Sequence, residues 1–153
     1  MHALEHDPLG LLNDVARLMR TRFDQRARMR GMTRAQWGIL VMLSRQPGLS
    51  QNEMAAISEV EPITVGRLID RLEKRGFVER RPDPTDRRIR RLHLLPAAQP
   101  VLDEIARHRE ELYDAILSGI DSDQRERFVE ALLQMKNNLN AEATFVPQLA
   151  AGG

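Results

Sequence analysis

The chain has 153 residues, 42% of them hydrophobic and 29% charged, with a formal net charge of +1 and no cysteine. That length suits one compact domain carrying helical extensions, and the lack of cysteine excludes a disulfide, a thiolate zinc site and a thiol redox switch. No apolar run reaches the about 20 residues needed to cross a bilayer, and "MHALEHDPLG" has neither the basic nor the apolar region of a leader, so a cytoplasmic location without membrane contact is expected.

From Leu9 to about Arg28, the residues Leu12, Val15, Ala16, Leu18, Met19 and Phe23 recur at three- and four-residue spacing, the pattern of a long amphipathic helix. "GMT" interrupts it. Thr33 then stands three residues before Gln36, the spacing of a capping box, which predicts a second helix from about Arg34 to Gln46, closed by Pro47-Gly48. Ser50 and Glu53 repeat the device before a short helix ending near Ser58. Pro62 suits the first position of another helix, because its missing N–H would have no intrahelical partner there. That helix runs to about Arg75, and Gly76 suits the left-handed position just beyond it.

"FVERR" and "RRLHLL" are β-prone runs joined by the arginine-rich "PDPTDRRIRR" as an elongated hairpin loop, and Pro96 closes this unit. A long helix follows, with Pro100 either in its first turn or kinking it. Asp121 or Ser122 caps a final helix through about Leu139, and residues 141–153 are expected to form a flexible tail. The predicted fold is mainly α with a small β-hairpin wing. A winged helix-turn-helix over residues 31–96 is flanked by terminal helices, 1–30 and 97–140, that form a dimerisation region.

Charge is unevenly spread along this order. Residues 60–93 hold ten Lys and Arg against six Asp and Glu, whereas residues 100–140 hold five against nine. The positive excess mid-chain marks where an anionic partner binds, and double-stranded DNA is the partner expected. On the helix that starts at Pro62, Val65, Leu68, Ile69 and Leu72 share the face predicted to be core. Ile63, Thr64, Gly66, Arg67, Asp70, Arg71 and Lys74 fall mostly on the other.

A helix so divided, entered by a short turn from a small capped helix, presents its N-terminal half to the major groove. Arg67 can give a bidentate contact to guanine O6 and N7, and Thr64 can meet a base edge or a phosphate. Ser50, Ile63, Arg71 and Lys74 complete the candidate DNA-contacting set on the two helices. Taken alone, this is also an ordinary surface helix with a solvated arginine. The hairpin changes the weighing: an arginine at its tip, among Arg87, Arg88 and Arg90, can enter the narrow and strongly negative minor groove while the others meet phosphates. Asp86 would be repelled by phosphate, but it can hold one arginine in a charge-assisted pair and leave its neighbour projecting outward.

These residues carry a family likeness. "DPTDRRIRRLHLLPAAQPVLDEI" resembles the wing signature of the MarR family of bacterial transcription regulators, with Asp86 and Arg88 at its Asp-x-Arg positions. "RLIDRLEKRGFVERR" is similar to the end of the family's recognition helix and its first wing strand, and "LSQNEMAAI" to the helix before it. "VARLMR" and "ILSGIDSDQRERFVEALLQMKNNL" resemble the SlyA-like branch, and the likeness covers residues 9 to 140. Leu95 departs from the pattern: the family usually places a threonine there to cap the next helix, which here starts at Pro96.

The resemblance implies a homodimer with intertwined terminal helices, whose two wings grip one pseudo-palindromic operator, with repression as the default because a dimer covering a promoter need only obstruct. It also implies release by a small aromatic or phenolic anion, held by Arg20, Trp37, Val41 and Arg67. Trp37 offers an aromatic wall and Arg20 a carboxylate partner, the alternative being that Trp37 is core and Arg20 solvated. Independently of the likeness, Leu102, Ile105, Leu112, Ile116, Phe128, Leu132, Leu133, Met135 and Leu139 give the last two helices broad apolar faces with no further layer in the chain to cover them.

Other chemistries find little support. His2, His6, His93 and His108 lack the close pairing of metal sites, although His2 and His6 can form a terminal one, so no metal and no cofactor is expected. There is no phosphate-binding glycine loop and no nucleophile elbow, and the carboxylates fall on solvated helix faces, so the chain is not expected to be an enzyme. The remaining reading of a different class is a winged-helix protein-interaction module that does not bind specific DNA.

Overall fold

A computed structural model describes residues 7–143. Among these the order is α1 (Pro8–Met29), α2 (Arg34–Arg45), α3 (Gln51–Ser58), α4 (Pro62–Lys74), β1 (Val78–Pro82), β2 (Arg90–Leu94), a 3-10 turn (Pro96–Ala98), α5 (Gln99–Ile116) and α6 (Ser122–Ala143). This is the winged-helix arrangement expected, with six helices and one antiparallel hairpin. The chain divides into two compact units, with the boundary inside α5 after Glu110. No described helix is long and apolar enough to cross a membrane. The tail expected from residue 141 begins as the last turn of α6, and residues 144–153 lie outside the described residues, as do His2 and His6.

The helix ends form where the polar residues satisfy the first-turn amides. Asp7 accepts from the N–H groups of Leu9 and Gly10, with Pro8 at the first helical position of α1. Both expected capping boxes are present. Gln36 N–H donates to Thr33 Oγ1 at 3.2 Å while Thr33 N–H donates back to Gln36 Oε1 at 2.9 Å, and Glu53 N–H donates to Ser50 Oγ at 3.2 Å while Ser50 N–H donates to Glu53 Oε2 at 2.8 Å. Thr33→Ala leaves one α2 amide without its acceptor, and urea denaturation is expected to show a loss of about 1 kcal/mol.

Glu59, at φ 53°, makes the left-handed turn between α3 and α4. Gly76, at φ 72°, ends α4 as expected. Next to it, Arg75 donates to the carbonyls of Gly31 and Arg30 at 3.0 and 3.1 Å, tying the end of α4 to the end of α1.

The first unit's core is drawn from every element around the hairpin. Leu40 and Leu43 of α2, Met54 of α3, Ile69 and Leu72 of α4, Val78 of β1 and Leu92 of β2 are all fully buried, and Ala27 and Ile105 close it from α1 and α5. In the hairpin register Val78 faces Leu94 and Arg80 faces Leu92, so one face of the ribbon covers the core. β2 has a second neighbour: Gly48 N–H donates to Leu92 O and Leu92 N–H donates to Leu49 O, with Ser50 bridged to Arg91. The base of the wing is thereby paired with the α2–α3 connection.

Three expectations need correction. Gly66 is buried rather than on the open face, and a Cβ there would lie 2.7 Å from Gln51 Nε2, which donates to Pro62 O across the α3–α4 turn. The close approach of the two helices, which periodicity cannot register, puts it there. Leu102 and Ile105 belong to the first unit's own core instead of an uncovered face, because α5 begins against that core. The helix expected to start at Pro96 opens as a 3-10 turn over Pro96–Ala98, with Ala98 N–H donating to Leu95 O, and α5 begins only at Gln99.

In the second unit, Asp121 caps α6: Gln124 N–H donates to its Oδ1 at 2.9 Å, and Asp121 N–H donates back to Gln124 Oε1. Arg125 donates to the carbonyls of Leu117 and Ile120, the end of the preceding turn. Large apolar side chains of this unit remain open, among them Phe128, Val129, Leu133 and Leu139.

Candidate nucleic-acid interface

The outward side of α4 carries Ile63, Thr64, Arg67, Arg71 and Lys74, all exposed, with Ile63 64% open. Among the described residues the side chains of Arg67, Arg71 and Lys74 have no hydrogen bond or ion pair within the chain. Asp70 and Glu73 stand beside them, and both carboxylates are taken up by one wing arginine: Arg80 Nη2 reaches Asp70 Oδ1 at 2.7 Å and its Nη1 reaches Glu73 Oε2. The acidic groups that would oppose a polyanion on this helix are thus neutralised from within.

The wing sorts its charges in the same way. Asp83 Oδ1 accepts from Thr85 N–H (2.8 Å), Thr85 Oγ1 (2.7 Å) and Asp86 N–H (3.0 Å), while its Oδ2 accepts from Arg91 Nε at 2.7 Å. Asp86 Oδ1 accepts from Arg88 N–H and Nε, at 3.0 and 3.1 Å, and its Oδ2 accepts from Arg88 Nη2. Asp-x-x-Asp in this loop therefore makes two successive side-chain-capped turns. Arg88 remains 91% exposed within its pair, whereas Arg87 and Arg90 are exposed and without a partner among the described residues. Arg81 pairs with its neighbour Glu79. The pairing anticipated for Asp86 is present, and Arg87 is the neighbour left projecting.

These contacts shift the titrations. The Arg91 guanidinium first, then the hydroxyl and amide of Thr85, hold the Asp83 carboxyl far below the usual carboxylate range. Arg88 lowers Asp86, the Ser50 amide and then Arg91 lower Glu53, and Arg91 itself is raised by Asp83 and Glu53. A carboxyl depressed in the folded state contributes stability that is full above its unfolded pKa and is lost as pH falls through the folded one. The stability that these carboxylates give the wing is therefore full at neutral pH and is lost as the pH falls into the acid range.

Sequence reasoning placed the wing arginines and α4 but missed two sets of contacts, Arg91 with Asp83 and Glu53, and Arg80 with Asp70 and Glu73. The spacing of Asp83 to Thr85 and Asp86 carries a turn signal. Nothing local announces the reach from Arg91 to Glu53 or from Arg80 to α4. Ser50 is half-buried as a cap and β2 neighbour, with its hydroxyl oxygen already accepting from Glu53 N–H.

The expected ligand residues are less convergent. Trp37 is core, 2% exposed, with an indole N–H that has no acceptor among the described residues; Val41 packs at the core's edge, and Arg20 and Arg67 are exposed. One hollow of about 400 Å³ includes Gly31, Gln36, Arg71 and Lys74 in its lining, and another of about 320 Å³ includes Leu43, Arg81, His93 and Leu102. None of the four expected residues lines either. No cluster of three metal-ligating side chains occurs among the described residues.

This geometry can be compared with known proteins. The family model described as "MarR family" matches residues 32–89, from the start of α2 to the wing tip. The crystal structure of the transcriptional regulator PA3341 is 31% identical, covering 86% of this chain and 96% of that one with a TM-score of 0.73. The chain belongs to the MarR family. A further similar relative is the uncharacterized HTH-type transcriptional regulator YybA of Bacillus subtilis (strain 168), 28% identical over 75% of this chain and 77% of that protein. The MarR fold is also shared with a regulator from Listeria monocytogenes solved with a 26mer DNA, at a TM-score of 0.75 and 20% identity over 96% and 98% of the two chains. In MarR-family terms, the helix-turn-helix is α3 and α4, and the wing is β1 and β2.

Proposed function

We propose that this MarR-family chain is a sequence-specific DNA-binding transcriptional repressor, acting in the cytoplasm as a homodimer on a pseudo-palindromic operator. The observation that carries the reading is the sorting of charge. Every acidic side chain on the outward side of α4 and in the wing loop is held by an arginine, which leaves Arg67, Arg71, Lys74, Arg87 and Arg90 uncompensated among the described residues. Arg67 reads a guanine edge in the major groove, with Ile63 and Thr64 beside it. Arg71, Lys74 and Ser50 position the helices on phosphates, and Arg87, Arg88 and Arg90 carry the wing, with Asp86 orienting Arg88. The relative solved with DNA has this fold and supports the same use of it.

The dimer reading rests on uncovered apolar surface. Leu9, Leu11, Val15, Leu18 and Met19 stand open along α1, and Tyr113, Ile116, Phe128, Leu133 and Leu139 in the second unit. Segments 1–30 and 97–140 would supply the dimer contact and 31–96 the DNA-binding lobe, placing two recognition helices about 34–36 Å apart. Placement in the SlyA-like branch rests on the α1 and α6 segments quoted above. A small aromatic anion releasing the DNA would draw on Trp37, whose N–H lacks an acceptor, with Val41, Arg20 and Arg67. It would act only through different affinity for two spacings of the lobes.

Selection of bound duplexes from a random library, run with the wild type and with Arg67→Ala, tests the reading. The wild type is expected to enrich an inverted repeat. Arg67→Ala is expected to retain binding while losing preference at one base pair per half-site, a discrimination worth about 1–3 kcal/mol. Enrichment of the same sequence by both proteins would remove Arg67 from base readout.

A further inference from the structure

We propose that Arg91 is the positioning residue of the wing: by holding Asp83 in the hairpin loop and Glu53 in the first turn of α3 together, it fixes the angle at which the wing meets the helix-turn-helix. The inference rests on the DNA-binding reading above for its functional consequence, and on the chain alone for its structural one.

Backbone pairing secures only the base of the hairpin, where Leu92 exchanges hydrogen bonds with Gly48 and Leu49. Beyond Pro82 the backbone bonds, Asp83 N–H to Ile89 O and Ile89 N–H to Asp86 O, hold the loop only to itself, and a two-stranded ribbon alone is marginally stable. Arg91 closes the gap. Its Nε donates to Asp83 Oδ2 at 2.7 Å and its Nη1 to Glu53 Oε2 at 2.8 Å, with Gly48 O at 3.4 Å. Each carboxylate is in turn fixed to backbone. Asp83 holds the Thr85 and Asp86 amides, and Glu53 holds the Ser50 amide as half of the capping box. One planar guanidinium thus joins the turn of the wing loop to the cap of α3, a linkage that the single-point ammonium of a lysine cannot reproduce.

The register shows that the hairpin is held from both faces. Arg80 lies opposite Leu92, on the core-covering face, and reaches Asp70 and Glu73 of α4. Arg91 lies on the other face and reaches α3. Each strand therefore sends one arginine to one helix of the helix-turn-helix. The unpaired Arg87 and Arg90 are carried on a ribbon whose direction relative to α4 is set in advance of binding, and preorganisation of this kind removes an ordering cost from association.

The test uses Arg91→Met, which keeps the apolar stem, and Glu53→Gln, which keeps an acceptor for the Ser50 amide while removing the charge that faces Arg91. Amide hydrogen exchange without DNA reads the brace directly. Exchange at Thr85 and Asp86 is expected to quicken about tenfold in Arg91→Met and less in Glu53→Gln. Hydroxyl-radical footprinting on the selected duplex is expected to lose the wing's protections while those under α4 remain, with affinity about tenfold lower. Arg91→Lys is expected to follow the methionine variant. Unchanged loop exchange and unchanged wing protections in Arg91→Met would overturn the brace, as would full function in Arg91→Lys. Failure of the wild type to bind any duplex would instead remove the DNA-binding reading, and the exchange measurement would still decide whether Arg91 holds the wing.

Discussion

Changing Arg87 and Arg90 together to alanine is expected to lower the slope of log affinity against log salt by about 3.6 for the dimer, two contacts being lost from each of its two wings at about 0.9 per phosphate contact, and to weaken binding about 100-fold or more at moderate salt. The expectation follows from how the wing distributes its charge. Arg80, Arg81, Arg88 and Arg91 each hold a carboxylate of the chain, so removing one of them also releases an anion beside the DNA. Arg87 and Arg90 hold none, and their loss subtracts only what they give to the partner. Exposed charges contribute little to folding, so the melting temperature of the double variant should stay within a degree or two of the wild type's. Fluorescence anisotropy titrations across salt, paired with thermal melts, check both parts. A fall in affinity with an unchanged salt slope would mean that neither arginine meets a phosphate.

The second large effect is on stability. Leu72→Ala is expected to cost about 3 kcal/mol in equilibrium denaturation, within the usual span for a fully buried leucine truncated in a core. Leu72 has no exposed surface and sits in the last turn of α4, where its carbonyl accepts from Phe77 N–H to close the helix. It packs in the cluster that α2, α3 and both wing strands share, so the cavity opens beneath the recognition helix and the hairpin together. A loss of this size is a large part of the roughly 5–15 kcal/mol that holds an ordinary domain folded. A cost below about 1 kcal/mol would mean that the surrounding residues collapse into the space, which Leu40 and Ile69, both fully buried, leave little freedom to do.

Much of this fold was legible because its punctuation is local. Thr33 with Gln36, Ser50 with Glu53, Pro62 and Gly76 each act within one helical turn, and the helices begin and end beside them. The wing was legible from its alternating strands and from the charge between them. What escaped were the contacts between elements distant in the sequence. Gly66 belongs to the outward face by periodicity alone, yet Gln51 comes across from α3 to cover it. Leu102 and Ile105 carry the same apolar signal whether they face a second copy or the chain's own core, and only the start of α5 against that core distinguishes the two. The same holds for the candidate site. Asp86 and Arg88 are two residues apart and their pair was foreseen, whereas Arg91 and Glu53 are brought together only by β2 lying beside the α2–α3 connection. Trp37 gave an aromatic signal equally consistent with a ligand wall and a core residue, and it lies in the core with its N–H still unpartnered.

Whether the exposed face of α4 and the braced wing together read a DNA sequence is decided by the affinity of the wild-type protein for its selected duplex against a scrambled duplex of the same length, at one near-physiological salt concentration. A ratio of about 10³ or more in favour of the inverted repeat, with two chains bound per duplex, is the predicted result. Equal, weak affinities that vanish together as salt rises would contradict it, and would leave the basic wing as an electrostatic surface on a module that recognises something other than a DNA sequence.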